Sequence, residues 1–311
     1  QLAAQDFTCT VAPFNAEVPV HLQTGLAPLV DLGFIERVEG GNATWGGTWK
    51  FNPGGYRMEV QGTSHAAMLI LKNQLAQLAG LTIQGQALYA AELAGNGDVA
   101  AAEAATLGAR LQSLRSRWTA QRKAIRLPDL TAELFGGQLK ADAEINVLEK
   151  KWPGQIQARL EALDLARLAE EYELPNTRMT GLADGELDAT WDSATLHDLH
   201  LHLRSTSQFS LNREILEALL LSKVMEGTKT GKKLKAFLPR LRDAKLDQWP
   251  FSSAELTADW KEGRFVGRVS LDSEELDITL DFAVDGAVVS DLIKLRQEAQ
   301  LQKLAFSSSS E

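Results

Sequence analysis

The chain has 311 residues, 44% of them hydrophobic, which is enough to fold around a substantial apolar core. Its formal charge of -9 and the scatter of its basic residues argue against a nucleic-acid partner. Cys9 is the only cysteine, which excludes an internal disulfide framework and a multi-cysteine metal site.

Neither end of the sequence carries a recognisable membrane or secretion signal. No run approaches the roughly 20 apolar residues that a spanning helix requires, and no basic-then-apolar signal pattern opens the chain. Because the sequence begins at Gln1 rather than at a methionine, we expect it either to follow a removed segment or to be part of a longer chain. Any membrane anchor of that longer chain would lie outside this sequence.

Glycine-rich turns and short alternating stretches predict a β-rich N-terminal segment over residues 1–126. Residues 43–51 and 56–60 alternate on either side of an Asn-Pro-Gly-Gly turn, which is typical of a hairpin. Apolar residues also alternate with period two within residues 66–90, so we interpret this stretch as strands. The alanine-rich stretch 100–120 is compatible with either a helix or strands, because propensity alone is a weak guide.

The β signal is stronger from residue 127 onward. Residues 130–134 and 139–147 alternate around Gly136-Gly137 and predict a second hairpin. Further alternating runs predict strands at residues 187–191, 199–203, 254–260, 265–271 and 276–284.

Three helical patterns interrupt these strands. Residues 164–172 have apolar positions at the three-and-four spacing of a short amphipathic helix. A helical pair is predicted over residues 211–241, broken at Gly227 and Gly231, and a terminal helix over residues 288–304.

We therefore predict a mostly β protein with a few helices, in which a long twisted antiparallel sheet curls into a taco-like β-groove capped by helices. Strand residues alternate between two faces, so the apolar members of the predicted strands should share one surface. The candidate groove-lining residues are Leu139, Ala141, Ile145, Leu187, Trp191, Leu199, Leu201, Leu203, Leu276, Ile278, Leu280 and Phe282.

Several segments resemble one known family. Residues 163–168 followed by residues 181–187 resemble a repeating element of the AsmA-like superfamily, especially of YdbH-type proteins, with TamB as a more distant relative. Residues 134–139 are similar to a hairpin that these proteins repeat, and residues 211–296 look like the end of a YdbH-type chain. The resemblance assigns residues 127–311 to a YdbH-like C-terminal module.

The resemblance implies a periplasmic protein of a double-membrane bacterium, forming part of a longer chain anchored in the inner membrane. Its β-groove would carry or bind phospholipid between the inner and outer membranes. The implied partners are phospholipid and membrane proteins of the envelope, with no cofactor and no catalytic activity.

The basic residues Lys232, Lys233 and Lys235 are candidate contacts for anionic lipid headgroups. The alternative is that they form a solvated outer face of a helix.

One histidine-rich stretch offers weak candidate metal ligands. On a strand, His200 and His202 would share a face with Asp198 and could present two imidazoles to zinc. The alternative is a solvent-facing side of a strand, since no third ligand follows at a clear spacing.

Two alternative functions are compatible with the sequence besides lipid binding: a closed structural or adhesive β-sandwich, and a zinc-dependent hydrolase that would use the histidine strand.

Overall fold

A computed structural model gives the fold of most of the chain. The residues it describes are 10–12, 15–25, 35–52, 55–71, 76–90, 93–106, 109–122, 124–146, 151–172, 179–192, 195–213, 239, 247–274 and 277–287. Within them the first ten strands are β1 (Thr10–Ala12), β2 (Asn15–Gly25), β3 (Ile35–Glu39), β4 (Asn42–Asn52), β5 (Gly55–Leu71), β6 (Ala76–Tyr89), β7 (Leu93–Thr106), β8 (Ala109–Arg122), β9 (Ala124–Leu134) and β10 (Gly137–Asn146). The remaining elements are β11 (Gly154–Asp164), helix α1 (Leu165–Glu171), β12 (Met179–Thr180), β13 (Leu182–Asp192), β14 (Thr195–Ser205), β15 (Phe209–Asn212), β16 (Gln248–Phe251), β17 (Ser253–Lys261), β18 (Arg264–Asp272) and β19 (Asp277–Asp285).

Sixteen of these strands form one antiparallel main sheet that does not close on itself. Its order is β1-β2-β4-β5-β6-β7-β8-β9-β10-β11-β13-β14-β17-β18-β19, and β3 pairs with β5. Strands β12, β15 and β16 form a separate three-stranded sheet. Fifteen strands side by side at about 4.8 Å spacing extend for roughly 65–70 Å.

The main sheet has one apolar face and one polar face, because its strands alternate as the sequence predicts. In β10, Leu139 and Ala141 are buried while Lys140 and Asp142 are exposed. Directly paired residues of antiparallel strands lie on the same face, so the registers carry this division from strand to strand. We call the apolar side the inner face and the polar side the outer face.

Three β-bulges bend neighbouring strands. Ser113, Asp129 and Ala162 have φ angles of 55°, 54° and 52°, and the cross-strand register shifts beside each of them. The backbone amide of Asp129 donates to Asp142 at 3.1 Å, and that of Ala162 donates to Asp184 at 2.7 Å. A bulge bends its strand and increases the local twist, so these positions build curvature into the sheet.

Buried aliphatic side chains form a band along one long edge of the inner face, at the level of the β9–β10 turn. We call it the aliphatic band. Its main members are Ala104, Leu111, Leu134, Leu139, Leu160 and Leu163, continued by Leu271 and Ile278 on β18 and β19. Inner-face residues nearer the other edge, such as Ile145 and Trp191, are only half-buried.

The helix and the small sheet lie at the aliphatic band. Helix α1 begins after Asp164, whose carboxylate accepts a hydrogen bond of 2.9 Å from the Ala166 amide and caps the helix. In the small sheet Phe251 is fully buried, and it belongs to one cluster with Leu271 and Ile278 of the main sheet. Among the described residues, this corner is the one place where a second layer packs on the inner face.

The structure confirms the predicted fold class: the chain is mostly β, and its large antiparallel sheet is open and curled. Within 66–90 and 100–120 the described residues belong to strands β5, β6, β7 and β8 apart from the bend at residue 90, and α1 coincides with the short helix predicted at residues 164–172. The boundary proposed at residue 126/127 falls inside β9, and the sheet continues across it.

One predicted helix boundary is wrong. The helical pair was expected to begin at Leu211, but Leu211 and Asn212 belong to β15, where Leu211 pairs with both Met179 and Trp249. Pairing with these two distant partners outweighs the local helical pattern. Apart from Leu211–Arg213 and Pro239, the predicted pair lies outside the described residues, as does the terminal helix at 288–304.

The difference in burial along β10 predicts unequal costs for two similar truncations. Leu139→Ala removes a side chain that is 9% exposed and should reduce the free energy of unfolding by about 2–4 kcal/mol. Ile145→Ala, in the half-buried part of the same strand, should cost about 1 kcal/mol. Urea unfolding measures both values, and equal costs would show that the inner face is covered along its whole width.

Candidate functional site: the inner face of the main sheet

The C-terminal strands present one continuous apolar surface on the inner face. Leu187 of β13 pairs with Leu201 of β14, which pairs with Ala258 of β17. Ala258 pairs with Gly267 of β18, and Gly267 pairs with Phe282 of β19. The surface therefore crosses five strands without interruption.

Every described candidate lining residue lies on this inner face. Those that are buried are Leu139, Ala141, Leu199 and Ile278. Those that are half-buried are Ile145, Leu187, Trp191, Leu201, Leu203, Leu280 and Phe282. Leu276, Lys232, Lys233 and Lys235 lie outside the described residues.

A second band runs toward the opposite long edge of the inner face, and of its members only Trp191 is among the lining residues predicted from the sequence. We call it the aromatic band, and its members are Trp45, Trp49, Phe51, Tyr56, Trp118, Trp191, Trp260 and Phe265. Phe51 and Tyr56 are 38% and 45% exposed. Trp260 meets Phe265 edge-on with ring centroids 4.8 Å apart. The inner face is therefore aliphatic and buried along one edge, and aromatic and more open along the other.

Glycines lie beneath the tryptophan rings of the aromatic band. Trp45 and Trp118 end one cross-strand row whose three middle positions are Gly62, Gly85 and Gly97. A Cβ at Gly62 would lie 2.8 Å from Trp45 Cγ, and one at Gly97 would lie 2.7 Å from Trp118 Nε1. The absent side chains let the rings lie against the sheet, as bulky residues in sheets do over glycine.

Gly154 and Trp191 repeat this arrangement further along the sheet, where they are direct cross-strand partners. The three atoms that a Cβ on Gly154 would approach most closely all belong to the Trp191 ring, including Nε1 at 3.1 Å. Local sequence patterns do not reveal such pairs, because Gly154 and Trp191 belong to different hairpins.

Two of the band's indole N–H groups are satisfied within the sheet. Trp45 Nε1 donates to Ser64 Oγ at 2.9 Å, and Trp118 Nε1 donates to the carbonyl oxygen of Gln84 at 3.0 Å. These rings therefore offer apolar surface with few polar groups, which suits a ligand held by burial rather than by directed hydrogen bonds.

The outer face carries cross-strand ion pairs. Lys140 Nζ lies 2.6 Å from Glu161 Oε2, and Arg126 Nε lies 2.8 Å from Glu144 Oε2. On β18 and β19, the hydrogen bond from Arg268 lowers the pKa of Asp281. The outer face is therefore charged and solvated, and the apolar inner face is the candidate site.

The two candidate zinc ligands, His200 and His202, lie on the outer face and each contacts a carboxylate. His200 Nδ1 is 2.7 Å from Asp259 Oδ1, and His202 Nε2 is 2.6 Å from Glu255 Oε1. Within the described ranges, no group of three or more His, Cys, Asp or Glu side chains is arranged to hold a metal ion.

Two further observations bear on the kind of site present. A depression of about 480 Å³ faces solvent at the β8–β9 turn and is lined by Gln121, Arg122, Ala124 and Arg126. It lies at the rim and is small beside the extended inner face. No helix in the described part of the chain is long and apolar enough to cross a membrane.

The contact between Gly154 and Trp191 predicts a strong coupling between two substitutions. Gly154→Ala should reduce the free energy of unfolding by about 1–3 kcal/mol, because the new methyl group displaces the indole ring. In a Trp191→Ala background the same change should cost almost nothing, and urea unfolding of the four proteins gives the coupling. Gln155→Ala, on the exposed outer face, is the control; additive effects would contradict the packing.

Comparisons with protein-family models, with curated proteins and with solved structures found no match for this chain.

Proposed function

We propose that this protein is an AsmA-like envelope protein of the YdbH type, whose inner face holds the acyl chains of phospholipids and guides them between the inner and outer membranes. The observation that carries the proposal is the continuous apolar inner face of a single open sheet. In this proposal the protein is periplasmic, acts with membrane proteins of the envelope, and catalyses no reaction.

An open inner face favours a lipid groove over a closed β-sandwich. In a sandwich, a second sheet packs about 10 Å above the apolar face and fills the space between them. In the described residues, the second layer is confined to α1 and the small sheet at the aliphatic band. Leu187, Leu201 and Phe282 remain half-buried, which leaves apolar area for a ligand to cover.

The energetics of acyl chains match such a surface. Moving one methylene from water to an apolar surface is worth about 0.8 kcal/mol, so an extended chain in water costs on the order of 10 kcal/mol. A groove compensates for this cost at every point of transfer only if its apolar lining has no gaps. The cross-strand pairs from Leu187 to Phe282 provide such a lining over five strands.

The two edges of the inner face suggest an orientation for a bound lipid. Charged groups at the aliphatic edge include Asp164, Glu170, Asp184, Asp272 and Asp277, together with Arg110 and Arg167. The aromatic edge carries the exposed cations Lys50, Arg57, Arg122, Lys151, Lys261 and Arg264 together with carboxylates. Tryptophan and tyrosine favour the boundary between apolar and wet regions. We infer that acyl chains lie over the half-buried residues Leu187, Leu201 and Phe282 and that phosphate headgroups lie toward the aromatic edge.

The first test is whether the purified protein carries lipid. Organic extraction followed by mass spectrometry should recover phospholipid in stoichiometric amount, because the half-buried inner face is otherwise exposed to water. Protein that yields neither lipid nor metal would favour the closed sandwich, and bound zinc would favour the hydrolase.

A single charge on the inner face should separate binding from folding. Leu201→Asp should abolish photo-crosslinking of lipid to a probe at Leu203, and the fold should persist because a half-exposed carboxylate stays hydrated. Thr131→Asp is the matched control, since Thr131 is exposed on the outer face between its cross-strand partners Arg115 and Lys140.

Thermal unfolding and crosslinking are measured on both variants. Loss of the folded state in Leu201→Asp alone would show that the inner face is sealed. Unchanged crosslinking in that variant would show that acyl chains do not pass this point.

A further inference from the structure

Strand β14 carries three histidines, and each one contacts a carboxylate on a neighbouring strand. His197 Nε2 lies 3.1 Å from Asp192 Oδ2 of β13. The contacts of His200 with Asp259 and of His202 with Glu255 join β14 to β17. All three imidazoles are on the outer face and are partly exposed, so they exchange protons with solvent.

Other seams of the main sheet use cations that keep their charge at neutral pH. Arg126 pairs with Glu144 across β9–β10, and Lys140 pairs with Glu161 across β10–β11. Arg268 pairs with an aspartate across β18–β19. Imidazole is the side chain whose ordinary titration falls between about pH 5 and 8, so the β14–β17 seam differs from these seams in its response to pH.

Acidic side chains flank the histidines from both neighbouring strands. On β13, Asp188 is the direct partner of His200, and Glu186 is the direct partner of His202. Asp259 and Glu255 face the same histidines from β17. Two permanent cations also lie at the seam: Arg204 of β14 is the direct cross-strand partner of Glu255, and Lys261 contacts Asp259 at 3.0 Å. The other charged groups described around the histidines are Asp184, Asp198, Arg264 and Arg268.

The β14–β17 seam is also short and joins strands that are not consecutive. Its backbone pairing runs only from His200–Arg204 to Glu255–Asp259, whereas β14 pairs with β13 over nearly its full length. Strands β15 and β16 intervene in the sequence. The seam holds β17, β18 and β19 to the rest of the main sheet, so its stability decides whether the inner face is continuous.

We propose that the β14–β17 seam is a pH-dependent joint. The pairing of the two strands is more stable (the joint is tight) when His200 and His202 are protonated and less stable when they are neutral. Protonated imidazoles place positive charge between the acidic groups of β13 and β17 and make charge-assisted hydrogen bonds with Asp259 and Glu255. Neutral imidazoles leave those carboxylates facing one another across β14. The joint tightens as the pH falls from about 8 to 5 and does not depend on which ligand the inner face holds.

The carboxylate side sets the acid limit of the joint. The hydrogen bond from His200, followed by that from Lys261, lowers the pKa of Asp259. A carboxylate with a lowered pKa stabilises the fold above its unfolded titration range, near pH 4, and that contribution is lost as the pH falls through the folded value. The contribution of Asp259 to the joint is therefore lost only at acidic pH, below the range in which the joint tightens.

Amide hydrogen exchange of the intact protein tests the joint directly. After correction for intrinsic exchange rates, amides of 200–204 and 255–259 should be about three- to tenfold less protected at pH 8 than at pH 5.5, as expected for two exposed ion pairs. Amides of the β10–β11 seam, which Lys140 and Glu161 join, serve as the internal control and should not change.

Two double variants complete the test. His200→Gln with His202→Gln should show low protection at both pH values, because glutamine stays neutral. His200→Lys with His202→Arg should show high protection at both, because its charges are permanent. Equal protection of the wild-type seam at the two pH values, or a pH response that persists in the glutamine variant, would overturn the proposal. Retained protection at β10–β11 shows that each variant is folded.

Discussion

The structure depends on the removal of one face of a single-layer sheet from water. Apolar residues at every second position make a surface that no strand can bury by pairing, since pairing satisfies only the backbone edges. Curvature buries part of this surface, because a curled sheet brings its inner side chains together. Leu139 and Leu160 are buried in this way, although most of the inner face has no opposing sheet among the described residues. The bulges at Asp129 and Ala162, each with its amide bound by an aspartate, hold that curvature in place.

Tight curvature limits the volume of the side chains that the inner face accepts. Large rings that projected straight out from the sheet would fill the space above the inner face. A glycine on a neighbouring strand lets a ring pack flat against the sheet instead. Trp118 over Gly97 and Trp191 over Gly154 follow this rule, so the aromatic band adds apolar area while projecting little into the space above the sheet. Such a lining is compatible with a mobile ligand, because it is smooth and offers few fixed partners.

The fold was predictable from the sequence where one local pattern was sufficient. Alternation identified the hairpin around Gly136-Gly137, and spacing identified α1. The alanine-rich stretch around Ala101 and Ala104 stayed ambiguous because small residues there are selected by their cross-strand partners Leu114 and Leu111, which lie in the next strand. The Gly154–Trp191 pair and the His200–Asp259 contact were missed for the same reason. Both depend on registers between strands of different hairpins.

The order of the main sheet has a consequence for how such a molecule changes its size. Nearly every strand lies beside its predecessor in the chain, so the sheet is a meander in which each hairpin meets only the hairpins before and after it. Its cooperativity then propagates between nearest neighbours, as in repeat proteins. Duplication or loss of one hairpin in a gene would lengthen or shorten the molecule by about 10 Å and leave its cross-section unchanged. Length becomes a trait that evolution can adjust in steps, independently of the chemistry of the lining.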